Sequence, residues 1–245
     1  MKILALESSA TACSAALCQG EQIIVQTVQN SGLTHSRTLM PMVEDMLRAC
    51  DSSLEDVDVI AVAAGPGSFT GLRIGVSTAK GLAWAADKPC APCSTLESMA
   101  WQMAHVDGII VPVMDARRQQ VYNALFRARD GVLERISPDR AISLEELKEE
   151  LDALEEEKWL VGDGAGLCWN AWNGVVQGLR LAPIHLRWQT AWGVARAALE
   201  LAQKDGLVSG EQLTPVYHRL SQAERERKAK EETNGLNITI RERGV

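Results

Sequence analysis

Apolar and polar positions change period several times along the chain, and each change marks an element. Residues 3–6, 13–17 and 22–28 are short runs rich in apolar and β-branched residues, separated by the polar turn 8–11 and by Gln19-Gly20-Glu21. Three such strands joined by tight turns predict an antiparallel meander. Residues 34–50 switch to a helical period, with Leu39, Val43, Met46, Leu47 and Cys50 on one face and Met40 and Met42 widening it; Pro41 falls inside this span and predicts a kink or a later start. Val59 to Ala64 is a continuous apolar run, the pattern of a strand buried on both faces.

That strand ends at Gly65-Pro66-Gly67, after which Ser68 or Thr70 can cap a helix running to about residue 86. Gly71, Gly75, Ala79 and Ala83 recur every four residues, so one narrow face of this helix carries almost no side chain, and Leu72, Val76 and Leu82 lie beside it. Interior glycines cost roughly 1 kcal/mol each in helix propensity. Gly71, Gly75 and Gly81 together therefore require compensation, by packing inside this chain or against a second one. The turn also has the form of an anion site at a helix N-terminus. Its detail departs from the phosphate-binding signatures: Thr70 stands where a dinucleotide motif has its third glycine, and Gly71-Leu72-Arg73 replaces the P-loop ending.

Further along, residues 90–93 read as extended and 95–105 as a helix. Residues 109–114, 121–127 and 132–136 read as a second meander. Ser143 and Glu146 form a capping box for a helix expected to reach residue 157. Residues 159–161 form a buried strand, 162–166 a glycine-rich turn, and a helix carrying Trp169 and Trp172 follows. Residues 190–204 form an amphipathic helix, 213–220 an extended piece, and 222–232 a densely charged tail, either an exposed helix or disordered. The mixed order predicts an α/β protein with mixed sheets flanked by helices. Its expected parts are a first lobe over 1–106, a smaller second lobe over 107–220, hinting at duplication, and a tail over 221–245.

Composition narrows the function. The chain has 245 residues, 46% hydrophobic, enough to bury a sizeable core. No run approaches the roughly 20 apolar residues of a membrane span, so a soluble cytoplasmic protein is expected. A net charge of −7 argues against a chain that grips nucleic acid alone through a broad basic face. Of the six cysteines only Cys90 and Cys93 have metal or redox spacing, and in an extended segment they point to opposite faces. His35, His105, His185 and His218 show no paired ligand spacing, and no Gly-x-Ser-x-Gly elbow is present. No catalytic residue and no metal ligand is assigned, and no cofactor is expected.

The segments Ile3-Leu4-Ala5-Leu6-Glu7-Ser8-Ser9, Gly65-Pro66-Gly67-Ser68-Phe69-Thr70-Gly71-Leu72-Arg73-Ile74-Gly75, Asp115-Ala116-Arg117 and Val216-Tyr217-His218-Arg219 together resemble the TsaB (YeaZ) family. These are non-catalytic subunits of the bacterial machinery that makes N6-threonylcarbamoyladenosine in tRNA. The resemblance covers most of the chain in order. It implies a two-lobed actin-like (ASKHA) fold related to the catalytic subunit TsaD. In TsaD a His-x-x-x-His pair holds the metal; loose alignment puts Thr95 and Met99 there, which implies a lost metal site and a helper role.

The resemblance further implies pairing with a TsaD-type subunit through the two first-lobe helices. That assigns Leu39, Met42, Val43, Met46, Leu72, Gly75, Val76, Ala79, Leu82 and Ala83 to the interface, with a homodimer possible through the same surface. A TsaE-type ATPase is expected in the complex, and tRNA contact only through it. Glu7, Ser8, Ser9, Thr11, Asp115, Gly162 and Gly164 are the residues that a residual nucleotide pocket would use. The same residues define the competing reading, an actin-like small-molecule kinase with ATP between its lobes. A self-sufficient peptidase lacks a nucleophile and base.

Overall fold

The computed structural model describes residues 1–219. The expected charged tail lies outside the described residues. The first sheet is built from β1 (Lys2–Glu7), β2 (Cys13–Gln19) and β3 (Gln22–Gln29), the antiparallel meander. Then β4 (Val59–Gly65) and β5 (Cys90–Ser94) join in parallel, giving the order β3-β2-β1-β4-β5. The period of two in β1 sorts its side chains: Leu4 and Leu6 face one core, Ile3 and Ala5 the other. The first core is closed by α1 (His35–Ala49) and α2 (Phe69–Ala86). Pro41 does not break α1, which is continuous around it.

The opposite face is covered by α3 (Thr95–Gln102) and by a helix from far along the chain, α6 (Ala191–Gln203). Small residues let these layers close tightly: Ala5, Ala61, Ala91, Ala195 and Ala198 line the contact, and a side chain at Gly193 would overlap the Ser98 carbonyl of α3. Leu213 also returns to the first core. The expected second lobe over 107–220 is therefore wrong at its end, because the apolar face of α6 is buried on the first sheet.

The second sheet has the order β10-β7-β6-β11-β12, formed by β6 (Gly108–Arg117), β7 (Gln120–Asn123), β10 (Arg140–Ser143), β11 (Lys158–Val161) and β12 (Leu179–Leu181). A hairpin of β8 (Phe126–Arg129) and β9 (Val132–Arg135) pairs with the start of β6. The strand expected over 121–127 is thus two strands. Pro112 of β6 has no N–H to continue the ladder, and the Asn123 amide instead donates to the Pro112 carbonyl at 3.0 Å.

Other boundaries also differ. The helix α4 (Leu144–Asp152) has the expected capping box but stops before residue 157, and α3 stops before 105. Residues 213–219 form no strand. β10, β12 and a short 3-10 turn at Ile184–Leu186 are too brief for periodicity to show. The helix α5 (Ala165–Trp172) packs beside α4's core, while α3 lies between the two sheets. Trp101 of α3 faces the first sheet, and Leu96, Met99 and Met103 face the second. No helix among the described residues is long and apolar enough to cross a membrane.

Candidate functional site

Ser68 caps α2, its hydroxyl accepting from the Gly71 N–H at 3.4 Å. The glycines ahead of and inside the helix meet the β1–β2 turn. The Ser68 N–H donates to the Ser9 carbonyl at 2.7 Å, and a Cβ at Gly67 would sit 2.6 Å from that oxygen. A Cβ at Gly71 would overlap the Ser8 carbonyl, and one at Gly75 the Ser8 hydroxyl. Ser8 in turn donates its hydroxyl to the Gly71 carbonyl at 2.9 Å. The glycine half of the stripe, Gly71 and Gly75, is therefore occupied by this chain's own turn, and Ala79 and Ala83 are buried in the first core.

This overturns the expected interface residues. Leu39, Met42, Val43, Met46, Leu72, Gly75, Val76, Ala79, Leu82 and Ala83 are all buried within the first lobe. Their spacing reports burial against the chain's own sheet. Nor does the turn offer an open phosphate cradle, since the Ser68 N–H is committed to Ser9 and the Leu72 N–H to the Ser68 carbonyl.

The outward side of α2 has a different character. Thr70, Arg73, Ser77, Gly81, Trp84 and Ala85 are exposed there, Thr78 and Lys80 half-buried, and a Cβ at Gly81 would meet nothing within 4 Å. Trp84 is 88% exposed. It stands at the lip of a groove of about 950 Å³ between α2 and residues 207–211.

Residues 208–219 strap the first lobe. Val208 and Cys90 exchange backbone hydrogen bonds of 2.8 and 2.9 Å, and Lys80 Nζ donates to the carbonyls of Glu211 and Leu213, each at 3.1 Å. The Val216 N–H donates to the Ala64 carbonyl at 2.8 Å, directly over Gly65, where a side chain would overlap Val216. Tyr217 stacks on Phe69 with ring centroids 4.6 Å apart, and Arg73 Nε donates to the Tyr217 hydroxyl at 3.0 Å. Arg219 donates to the Ala116 carbonyl of the second sheet. Three motifs far apart in sequence, at 65–75, 115–117 and 216–219, are thereby assembled in one place.

Between the lobes lies an acidic pair. Glu7, at the end of β1, is 0% exposed; its Oε1 accepts from the Ser9 N–H at 2.6 Å and its Oε2 has no hydrogen-bond partner among the described residues. Burial pushes its carboxyl up to about 7 against the pull of the Ser9 hydrogen bonds, and Asp163 adds to the rise. Asp163 follows β11. Burial raises it too, the Gln189 amide at 3.1 Å opposes this, and Asp115 raises it further.

Of the residues expected at a nucleotide pocket, Glu7 reaches the junction. Ser8 and Ser9 are sealed beneath α2, and Thr11 and Asp115 are exposed. Gly162 and Gly164 admit the backbone of β6, where side chains would overlap Val113 and approach Met114. Asp163, between those glycines in sequence, was not singled out, and neither were Gln189, Trp84 or Gly81. Among the described residues no group of three His, Cys, Asp or Glu side chains forms a metal centre. Cys90 and Cys93 point into opposite cores, and burial raises both thiols.

A family model described as "TsaD: tRNA N6-adenosine threonylcarbamoyltransferase" matches residues 27–162. The chain is 38% identical over 167 residues to the tRNA threonylcarbamoyladenosine biosynthesis protein TsaB of Bacillus subtilis, covering 68% of this chain and 73% of that one. It is 32% identical over 224 residues to the Escherichia coli protein of the same name, covering 89% and 95%. The solved structure of YeaZ from Pseudomonas aeruginosa superposes with a TM-score of 0.71 at 26% identity, over 88% of this chain and 99% of that one. The two sheets, with α3 between them, are the architecture shared with that YeaZ structure. Both the sequence matches and the shared architecture show that the chain belongs to the TsaB family of tRNA threonylcarbamoyladenosine biosynthesis proteins.

Proposed function

We propose that this chain is a non-catalytic subunit that holds a TsaD-type catalytic partner through the outward face of α2, with the exposed side of α1 beside it. The observation that carries this reading is Trp84, 88% exposed on a helix whose neighbouring outward positions are Ser77, Gly81 and Ala85. Between Arg73 and Trp84 this face carries small residues that admit another backbone closely, and a protruding tryptophan is the side chain most often found at the centre of a contact. The partner forms the threonylcarbamoyl–adenine bond, and this chain keeps it in a competent form. A TsaE-type ATPase joins the complex, and a homodimer through the same face competes with the partner. The helices are those expected from sequence, presented by their other side.

Gly81→Leu tests the face without touching the core. The new side chain enters open space, and the exchange relieves a helical glycine, raising stability by about 0.5 to 1 kcal/mol. Copurification with the TsaD-type subunit should nevertheless be lost. Trp84→Ala should weaken the same association by about 2 kcal/mol, roughly thirtyfold. Undiminished capture of the partner by both folded variants would remove this face from the interface.

A further inference from the structure

Away from the strap, Arg48, Arg127, Arg135, Arg140, Arg180 and Arg196 each have a carboxylate within salt-bridge distance. Arg37, Arg129 and Arg187 have none among the described residues, and Arg187 donates to the Ala182 carbonyl. Around the strap four such arginines gather. Arg73, Arg117, Arg118 and Arg219 have no carboxylate partner among the described residues: Arg73 is turned to the Tyr217 hydroxyl and Arg219 to the Ala116 carbonyl. These contacts make the four arginines one continuous rim, because Ala116 precedes Arg117 and Tyr217 lies two residues before Arg219. Asp115, the exposed acid beside them, accepts the Arg117 backbone N–H at 2.6 Å.

Two further features separate this rim from an ordinary solvated surface. Arg117, Arg118 and Gln119 form a hairpin tip with φ of +63°, +56° and +59°, three successive non-glycine residues in the left-handed region. Each residue held there costs free energy, so a tip that projects two unpaired arginines is maintained against its local preference. Tyr217, 41% exposed and stacked on Phe69, adds an aromatic ring beside the cations. Unpaired guanidinium groups around an accessible ring are the combination that takes a phosphodiester strand with unstacked bases.

We propose that this rim, spanning both lobes, binds the single-stranded part of an RNA directly, so that the chain contacts the RNA substrate as well as the catalytic partner. The inference rests on the partner-holding reading above and assigns a second surface to the same chain. Arg117 and Arg118 supply phosphate contacts from the second lobe, Arg73 and Arg219 from the first and the strap, and Tyr217 a stacking surface. The overall charge of −7 confines binding to this rim and makes it steeply salt-dependent.

The test uses the full chain and its complex with the TsaD-type subunit, with a fluorescent, unmodified tRNA transcript as probe. The Arg117→Glu/Arg118→Glu chain should bind about tenfold or more weakly than the unaltered chain, alone and in the complex, with the salt slope reduced by roughly two. Tyr217→Ala should weaken binding with the salt slope kept. Copurification of the catalytic subunit should be unchanged in the arginine variant, whereas Gly81→Leu should lose the partner and keep RNA binding by the isolated chain. Equal affinity and salt slope for the arginine variant and the unaltered chain would overturn the proposal. So would the absence of RNA binding by the unaltered chain, or equally tight binding of polyglutamate. Loss of the partner only in Gly81→Leu would leave the docking reading standing.

Discussion

Gly71→Val is expected to be strongly destabilising, with a large fall in the midpoint of unfolding. The β-carbon alone would overlap the carbonyl oxygen of Ser8, a backbone atom that cannot swing aside as a long side chain would. Moving it means pulling the β1–β2 turn off α2. That breaks the hydrogen bonds from Ser8 Oγ to Gly71 and from Ser68 N to Ser9, both made in a buried region. Overpacking together with lost buried hydrogen bonds costs about 4 kcal/mol or more. That is a large fraction of the about 5 to 15 kcal/mol by which a domain is typically stable.

Gly75→Leu should behave similarly, since its side chain meets Ser8 Oγ and Val62. Urea unfolding of Gly71→Val, Gly75→Leu and Gly81→Leu separates the inward from the outward glycines of one helix. A Gly71→Val chain with unchanged midpoint would show that the glycine stripe is not seated on the turn.

Glu7→Gln should flatten the dependence of stability on pH. The carboxyl of Glu7 rises from its ordinary value of about 4.5 to about 7 in the folded chain, chiefly through burial. Between those values the folded state holds a proton that the unfolded state has lost. Stability therefore falls as pH rises from about 4.5, and levels off above about 7 with the buried carboxylate ionised. A shift of this size corresponds to about 3 kcal/mol.

Glutamine keeps an oxygen for the Ser9 N–H and cannot ionise, so the variant should be less stable than the parent at no pH by this mechanism and more stable at pH 8. Asp163, raised in the same direction by burial, retains its own share of the slope. Chemical unfolding at a series of pH values from 5 to 8 measures it. Parallel profiles for the two chains would mean that Glu7 is ionised or solvated throughout.

Much of the first lobe was legible because its elements are punctuated. Gly-Pro-Gly ends β4, Ser68 starts α2, and the period of two in β1 divides its side chains between two cores. The second lobe was less so. The break between β7 and β8 follows from Pro112, whose missing N–H matters only once its neighbour in the sheet is known. β10 and β12 are too short to show a period. Helix α6 reads as amphipathic, but nothing local says that it crosses back to the first sheet.

The larger misreading concerned the docking residues. Periodic apolar and small residues mark the buried side of a helix and are silent about what buries them. At Gly71 and Gly75 the answer was Ser8, more than sixty positions earlier. Trp84 carried a usable signal, a large aromatic residue on the polar side of α2. Asp163 did not, because its significance comes from Glu7, brought near it only by the meeting of the lobes.

The claim on which the account turns is that this chain acts by holding a catalytic partner through the outward face of α2. Its most direct test is threonylcarbamoyl transfer to tRNA from purified components, comparing the TsaD-type subunit alone, this chain alone, both together, and the pair with folded Gly81→Leu. Modification is predicted only when the partner is joined by the unaltered chain, and Gly81→Leu should fail to support it. Modification by this chain alone, or full support from Gly81→Leu, would contradict the claim.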